Sequence, residues 1–348
     1  MRRLVTAALA LVLPLLSAPI ANAAPATIEI GTDFVQAAVD RTGSRVFVSR
    51  DQSYEIGVYD VATRQRVDTI PTGAYPLVDF ALSPSGDRLY ALAGWNTDSS
   101  VLVFDTATLT RLATLPIPKQ RGADHGWNSG WYENVAVSAD GTTLYLTQGG
   151  PWMVKFWRPG RLIVLPIATP TAARDLELDT VRYGYEVGPI TASPTGRDVY
   201  VEAGGGTVHV DPSTSPPVTR GTFTRDSNHT RATSTFDHPG TTLFYAAPGR
   251  DVVQFIDPRT DRTTAELPLG AIPTSLTAHP DGRLFTSDTP PDGPSRITVI
   301  DTATRTVTAH LTEADEPAHL SLSADGHTLA AAIGHSAKGK PRVVLLPV

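Results

Sequence analysis

The sequence predicts an all-β chain folded as a seven-bladed β-propeller with four-stranded blades. Three observations carry that expectation. One strand–turn–strand phrase occurs seven times, a second turn signature follows most copies, and an isolated strand at the start complements an incomplete unit at the end. A repeat of about 40–45 residues built from strands is the signature of radial β architectures, in which each unit buries its faces only against its neighbours.

The phrase is an apolar, small-residue strand, a turn ending in Gly, and a strand rich in β-branched and aromatic residues. It reads FVQAAVDRTGSRVFVS, VDFALSPSGDRLYALA, NVAVSADGTTLYLT, ITASPTGRDVYVE, TSTFDHPGTTLFYA, SLTAHPDGRLFTS and HLSLSADGHTLAAA. Its turn glycines are Gly43, Gly86, Gly141, Gly196, Gly240, Gly282 and Gly326, spaced by 43, 55, 55, 44, 42 and 44 residues. The second signature is Asp60-Val-Ala-Thr63, Asp105-Thr-Ala-Thr108, Asp211-Pro-Ser-Thr214, Asp257-Pro-Arg-Thr260 and Asp301-Thr-Ala-Thr304. Asp at the head of such a turn accepts bonds from backbone N–H groups two or three residues on. That chemistry accounts for these aspartates without a repeated metal site.

These residues resemble the YVTN-type propeller repeat, whose naming strand is matched here by LYAL, LYLT and VYVE after SPDG-like turns. The resemblance covers essentially all of residues 24–348 and implies the fold. It leaves function open, because such propellers serve as binding surfaces, as surface-layer components and in some cases as enzymes. Blade 3 departs from the pattern, with LPIATPTA in place of the Asp-x-Ala-Thr turn, and blade 7 lacks both that turn and a fourth strand.

Taken in chain order, residues 1–23 read as a cleaved export signal. Arg2-Arg3 is the positive region, an apolar run extends from Leu4 to Leu16, and Ala21-Asn22-Ala23 is the small-x-small cleavage site. That run is too short to span a bilayer. The expected product is a secreted, extracellular, monomeric chain beginning at Ala24 and forming a single domain over residues 24–348, with no membrane span. The strand ATIEIG follows and is expected to pair, over residues 26–31, with Arg342–Leu346 as the outer strand of blade 7. This closure removes the sheet edge that an open ring would expose.

The chain has no cysteine, which closes disulfides and thiolate metal sites. A net charge of −6 and a pI near 5.8 argue against a nucleic-acid partner, which calls for a basic face.

Two intervals are long. PKQRGADHGWNSGWYE joins blades 2 and 3, and GGPWMVKFWRPG joins the second and third strands of blade 3; the connection DTVRYGYEVG into blade 4 is also irregular. Propeller topology puts all three on one face, here called the upper face, with the two turn signatures on the lower. All five tryptophans fall on this upper face, Trp95 in the second loop of blade 2 and the other four in the two long insertions. The candidate ligand-binding residues are therefore Trp95, Trp127, Trp131, Tyr132, Trp152, Trp157, Arg158, Arg182 and Tyr183. Aromatic faces suit sugar rings and planar ligands, and Arg suits carboxylate or phosphate. The alternative is that these side chains merely pack together beneath long loops.

A second candidate is the channel mouth. Seven positions before each turn glycine stand Gln36, Asp79, Asn134, Pro189, Thr233, Ser275 and His319. Blades 7, 1 and 2 are neighbours, so Asp79, Gln36 and His319 are candidates to hold a divalent cation, calcium or magnesium. Asp79, His319, Glu133 and Arg231 are the candidate catalytic residues. Polar residues that only hydrogen-bond channel water are the competing account. The leading function is an extracellular module that binds a small molecule, glycan or protein on the upper face of blades 2–4. The rival is a lactonase-like propeller hydrolase or lyase working at the channel mouth. No phosphate loop, HExxH helix, EF-hand or G-x-S-x-G elbow is present.

Overall fold

The computed structural model describes residues 25–30, 36–49, 53–73, 76–95, 98–119, 132–149, 159–178, 187–203, 206–224, 233–247, 249–314, 317–333 and 341–348. They form seven four-stranded antiparallel sheets, one for each copy of the phrase. The innermost strands are Gln36–Val39, Leu77–Leu82, Tyr132–Val137, Val187–Ala192, Thr233–Phe236, Ile272–Ala278 and Pro317–Leu322.

The turns form for the reasons their composition suggests. All seven phrase glycines have positive φ, between 70° and 94°, a region costly for any residue with a Cβ. In the second signature the leading carboxylate caps the turn: Asp60 accepts from the Thr63 amide (2.7 Å), Asp105 from Thr108 (2.9 Å), Asp257 from Arg259 (2.9 Å) and Asp301 from Thr304 (2.7 Å). These N–H bonds hold all four carboxyls below the usual range. The residue that follows, Arg64, Leu109, Asp261 or Arg305, sits in the left-handed region and returns the chain to the outer strand. Where blade 3 lacks the signature, a single 3₁₀ turn, Pro170–Ala172, makes the connection.

Blade 7 is closed by the N-terminus. Ala26–Glu29 pairs antiparallel with the last strand, with Ala26 opposite Leu345 and Glu29 opposite Arg342. The amide of Ile30 adds a bond to the carbonyl of Pro341 (3.0 Å).

The core is not central. It lies in seven apolar layers, each sandwiched between successive blades. Between blades 1 and 2, for example, Phe47, Ile56 and Val58 meet Phe80, Leu89 and Ala91. Six layers contain eight to eleven buried residues each among those described. The layer between blades 4 and 5 has five: Tyr200, Phe236, Leu243, Tyr245 and Ile256.

Candidate functional site

Both long insertions spring from one buried polar cluster in blade 3. Gln148 ends the strand before the second insertion and Arg161 opens the strand after it. Arg161 donates from Nε to Gln148 Oε1 (2.6 Å), from Nη1 to Asp175 Oδ2 (2.9 Å) and from Nη2 to the carbonyl of Lys119 (2.7 Å). Lys119 lies at the start of the first insertion. Tyr132, the first strand residue after that insertion, donates its hydroxyl to the Pro118 carbonyl (2.6 Å). The Arg161 side chain is 8% exposed, so the guanidinium is committed to this network rather than to solvent. Burial pushes the Tyr132 hydroxyl far up in pKa, although Arg161 opposes it, and it remains a donor. Four segment ends are thus fixed together on the upper side of one blade, by charge-assisted bonds that are stronger than neutral ones.

The residues expected to form the ligand platform divide unevenly. Tyr132 is buried and belongs to the base of the insertions. Trp95 ends the second strand of blade 2. Trp127, Trp131, Trp152, Trp157, Arg158, Arg182 and Tyr183 lie outside the described residues, as does Arg231. No sequence motif marks Arg161 and Gln148 as clamp residues. Their signal was positional, flanking an insertion of unusual length.

The residues seven positions before the glycines differ in exposure, from the buried Ser275 to the exposed Pro189, and much of their bonding runs between blades. Gln36 of blade 1 pairs its side-chain amide with the Phe80 backbone of blade 2, donating to the carbonyl (2.9 Å) and accepting from the amide (3.3 Å). Asp79 of blade 2 accepts from the Val135 amide of blade 3 (2.8 Å) and from the Phe80 amide (2.8 Å). Ser275 of blade 6 accepts from Leu320 of blade 7 (3.0 Å). Two positions further on, Ser321 accepts from Val39 of blade 1 (3.3 Å), and Thr191 donates to the Ser234 carbonyl of blade 5 (3.1 Å). A β-bulge lies immediately before this position in blades 2, 3, 6 and 7, whereas Gln36 of blade 1 pairs in unbroken register. A bulge re-aims the side chain that follows it.

Asp79 and Gln36 therefore meet at the Phe80 amide. Burial raises the Asp79 carboxyl to about 7 even though two N–H bonds favour its charged form. His319 occupies the equivalent place in blade 7. Its Nδ1 is sealed from solvent with no hydrogen-bond partner among the described residues, and burial disfavours its charged form. Glu133 is partly exposed in the bulge of blade 3. Among the described residues, no three His, Asp or Glu side chains lie close enough to share a metal ion.

A further polar centre, unmarked by any motif, lies on the lower side between blades 4 and 5. His209 is 1% exposed and stacks on Tyr200 with ring centroids 4.4 Å apart. Both of its nitrogens face carboxylates, Asp198 and Asp261.

No protein-family model matches the chain, and no curated protein sequence matches it. Solved structures match its shape. The hydrazine synthase of Kuenenia stuttgartiensis aligns with a TM-score of 0.65 at 16% identity, over 90% of this chain and 94% of that one. A chain of a mitotic checkpoint complex aligns at 0.67 and 15% identity, over 99% of each chain. The β-propeller domain of Cps50 (Swd1) from Myceliophteria thermophila aligns at 0.65 and 12%, over 94% of this chain and 99% of that domain. At these identities the likeness shows the β-propeller fold alone.

Proposed function

We propose that this protein is an exported interaction scaffold, and that its ligand site is the upper face of blades 2–4. The observation that carries the reading is the Arg161 cluster, which roots both long insertions on one rigid base. Loops held by a rigid scaffold are where propellers and other β folds place recognition. The tryptophans and arginines of those insertions supply aromatic faces and cationic groups for a glycan, a planar small molecule or a protein surface. Export rests on the leader at residues 1–23. The rival reading, hydrolysis or lysis at the channel mouth, rests on Asp79 and His319. Asp79 spends both oxygens on backbone amides, which favours a bracing role for it.

The test uses protein recovered from the medium, with an intact mass that begins at Ala24, screened against glycans, lactones and divalent cations by thermal shift. Trp152→Ala and Trp157→Ala are expected to keep stability within about 0.5 kcal/mol while abolishing the shift given by the ligand. Buried packing residues would instead cost roughly 3–5 kcal/mol each, and that result would remove the platform.

A further inference from the structure

The seam between blades 4 and 5 differs from the other six. Its apolar layer is the smallest among the described residues, and polar groups take up the area that side chains such as Phe80 and Leu89 fill elsewhere. Thr207 of blade 4 donates its hydroxyl to the Tyr245 hydroxyl of blade 5 (3.2 Å). Nearer the lower face, Asp261 of blade 5 reaches across to blade 4. It occupies the left-handed turn position that carries Arg64, Leu109 and Arg305 in other blades. There it accepts from the Tyr200 hydroxyl (2.9 Å) and lies against His209 Nδ1 through both oxygens (2.9 and 3.0 Å). On the far side of the ring, His209 Nε2 meets Asp198 Oδ1 (2.9 Å). Opposite His209 in the next strand is Gly221, where a Cβ would collide with the Asp261 carboxylate.

The donor count fixes the charge state. An ionised carboxylate only accepts, and a neutral imidazole donates from one nitrogen only. With both carboxylates ionised, the two contacts are satisfied together only by an imidazolium. Among the described residues, the other charged groups at the seam include Arg220, paired with Asp211 and 3.5 Å from Asp198, Asp257, which acts on Tyr200, and the buried Glu202, which accepts from Thr207 (3.4 Å). Burial opposes the imidazolium, but Asp198 and Asp261 more than offset it, and His209 titrates above its ordinary value.

We propose that His209, Asp198 and Asp261 form a pH-sensitive clasp that locks blade 4 to blade 5 in acid and neutral medium and releases as the medium turns alkaline. A histidine with a raised folded pKa contributes stability that is fully present below its unfolded value of about 6.5, and that is lost as pH rises through the folded value.

The experiment compares melting temperature against pH for the mature protein and its His209→Gln variant. The variant keeps a polar side chain but cannot bridge two carboxylates as a cation. Near pH 6 it is expected to melt on the order of 3–6 °C below the parent. The gap should narrow steadily as the medium turns alkaline. Parallel curves across that range would overturn the proposal. If the variant fails to fold, the nitrogen chemical shifts of His209 in the unaltered protein decide. Two protonated ring nitrogens at pH 7 are expected, and a neutral tautomer there would overturn the clasp.

Discussion

Removing residues 25–31 is expected to leave a chain that aggregates or melts more than 10 °C below the mature protein, by roughly 5 kcal/mol or more of lost stability. The segment buries Ile28 completely and Ile30 to 8% exposure, in the layer shared by blades 7 and 1. Losing one buried Ile side chain costs about 2–5 kcal/mol, and a whole domain has only about 5–15 kcal/mol to lose. The deletion also strips the last strand, Arg342–Pro347, of its outer partner and exposes a β edge that pairs with other chains. Thermal unfolding and size-exclusion chromatography of the deletion beside a chain starting at Ala24 check this. Equal melting would mean that the N-terminal strand is not what closes the ring.

Replacing Arg161 by Met is expected to cost roughly 2 kcal/mol of stability and at least tenfold in ligand uptake at the upper face. Gln148 is fully buried and loses the Nε donor 2.6 Å away, and the Lys119 carbonyl loses its charged donor. Asp175 is 39% exposed and rehydrates, so the cost stays below the 3–5 kcal/mol expected when a fully buried ion pair is broken. Binding suffers as well as folding because the lost bonds hold loop roots rather than blade cores. Melting and titration with a ligand from the thermal-shift screen check both numbers. Unchanged uptake would detach the insertions from the site.

The ring itself was legible because its cause is local. Seven turns need Gly at positive φ and five need an Asp cap, so the punctuation survives in the sequence at a readable period. The strand faces were legible for the same reason: a period of two places Gln36, Asp79 and Ser275 at one level of the inner strands. Where those side chains reach was not, because the bulges that precede Asp79 and Ser275 leave no mark in residue type, and Gln36 reaches blade 2 from a strand without one. Arg161 and His209 were harder still, since each draws its partners from segments remote in sequence. Arg161 reaches Lys119 across 42 residues and His209 reaches Asp261 across 52. One clue was present in the second case. Asp261 is an acidic residue at a turn position that elsewhere carries Arg or Leu, and Gly221 opens the space beside it.

Recognition at the upper face of blades 2–4 requires that its aromatic side chains be presented to solvent and ligand. Four of the five tryptophans stand in the two long insertions and Trp95 ends a strand of blade 2, so under this proposal intrinsic fluorescence reports on that face. Acrylamide quenching of the folded protein is the direct measurement. The expected result is emission typical of hydrated indole, readily quenched, and protected when a binding glycan or planar ligand is added. Blue-shifted emission that resists quenching until the chain unfolds would show the tryptophans packed inside the loops, and would contradict the account.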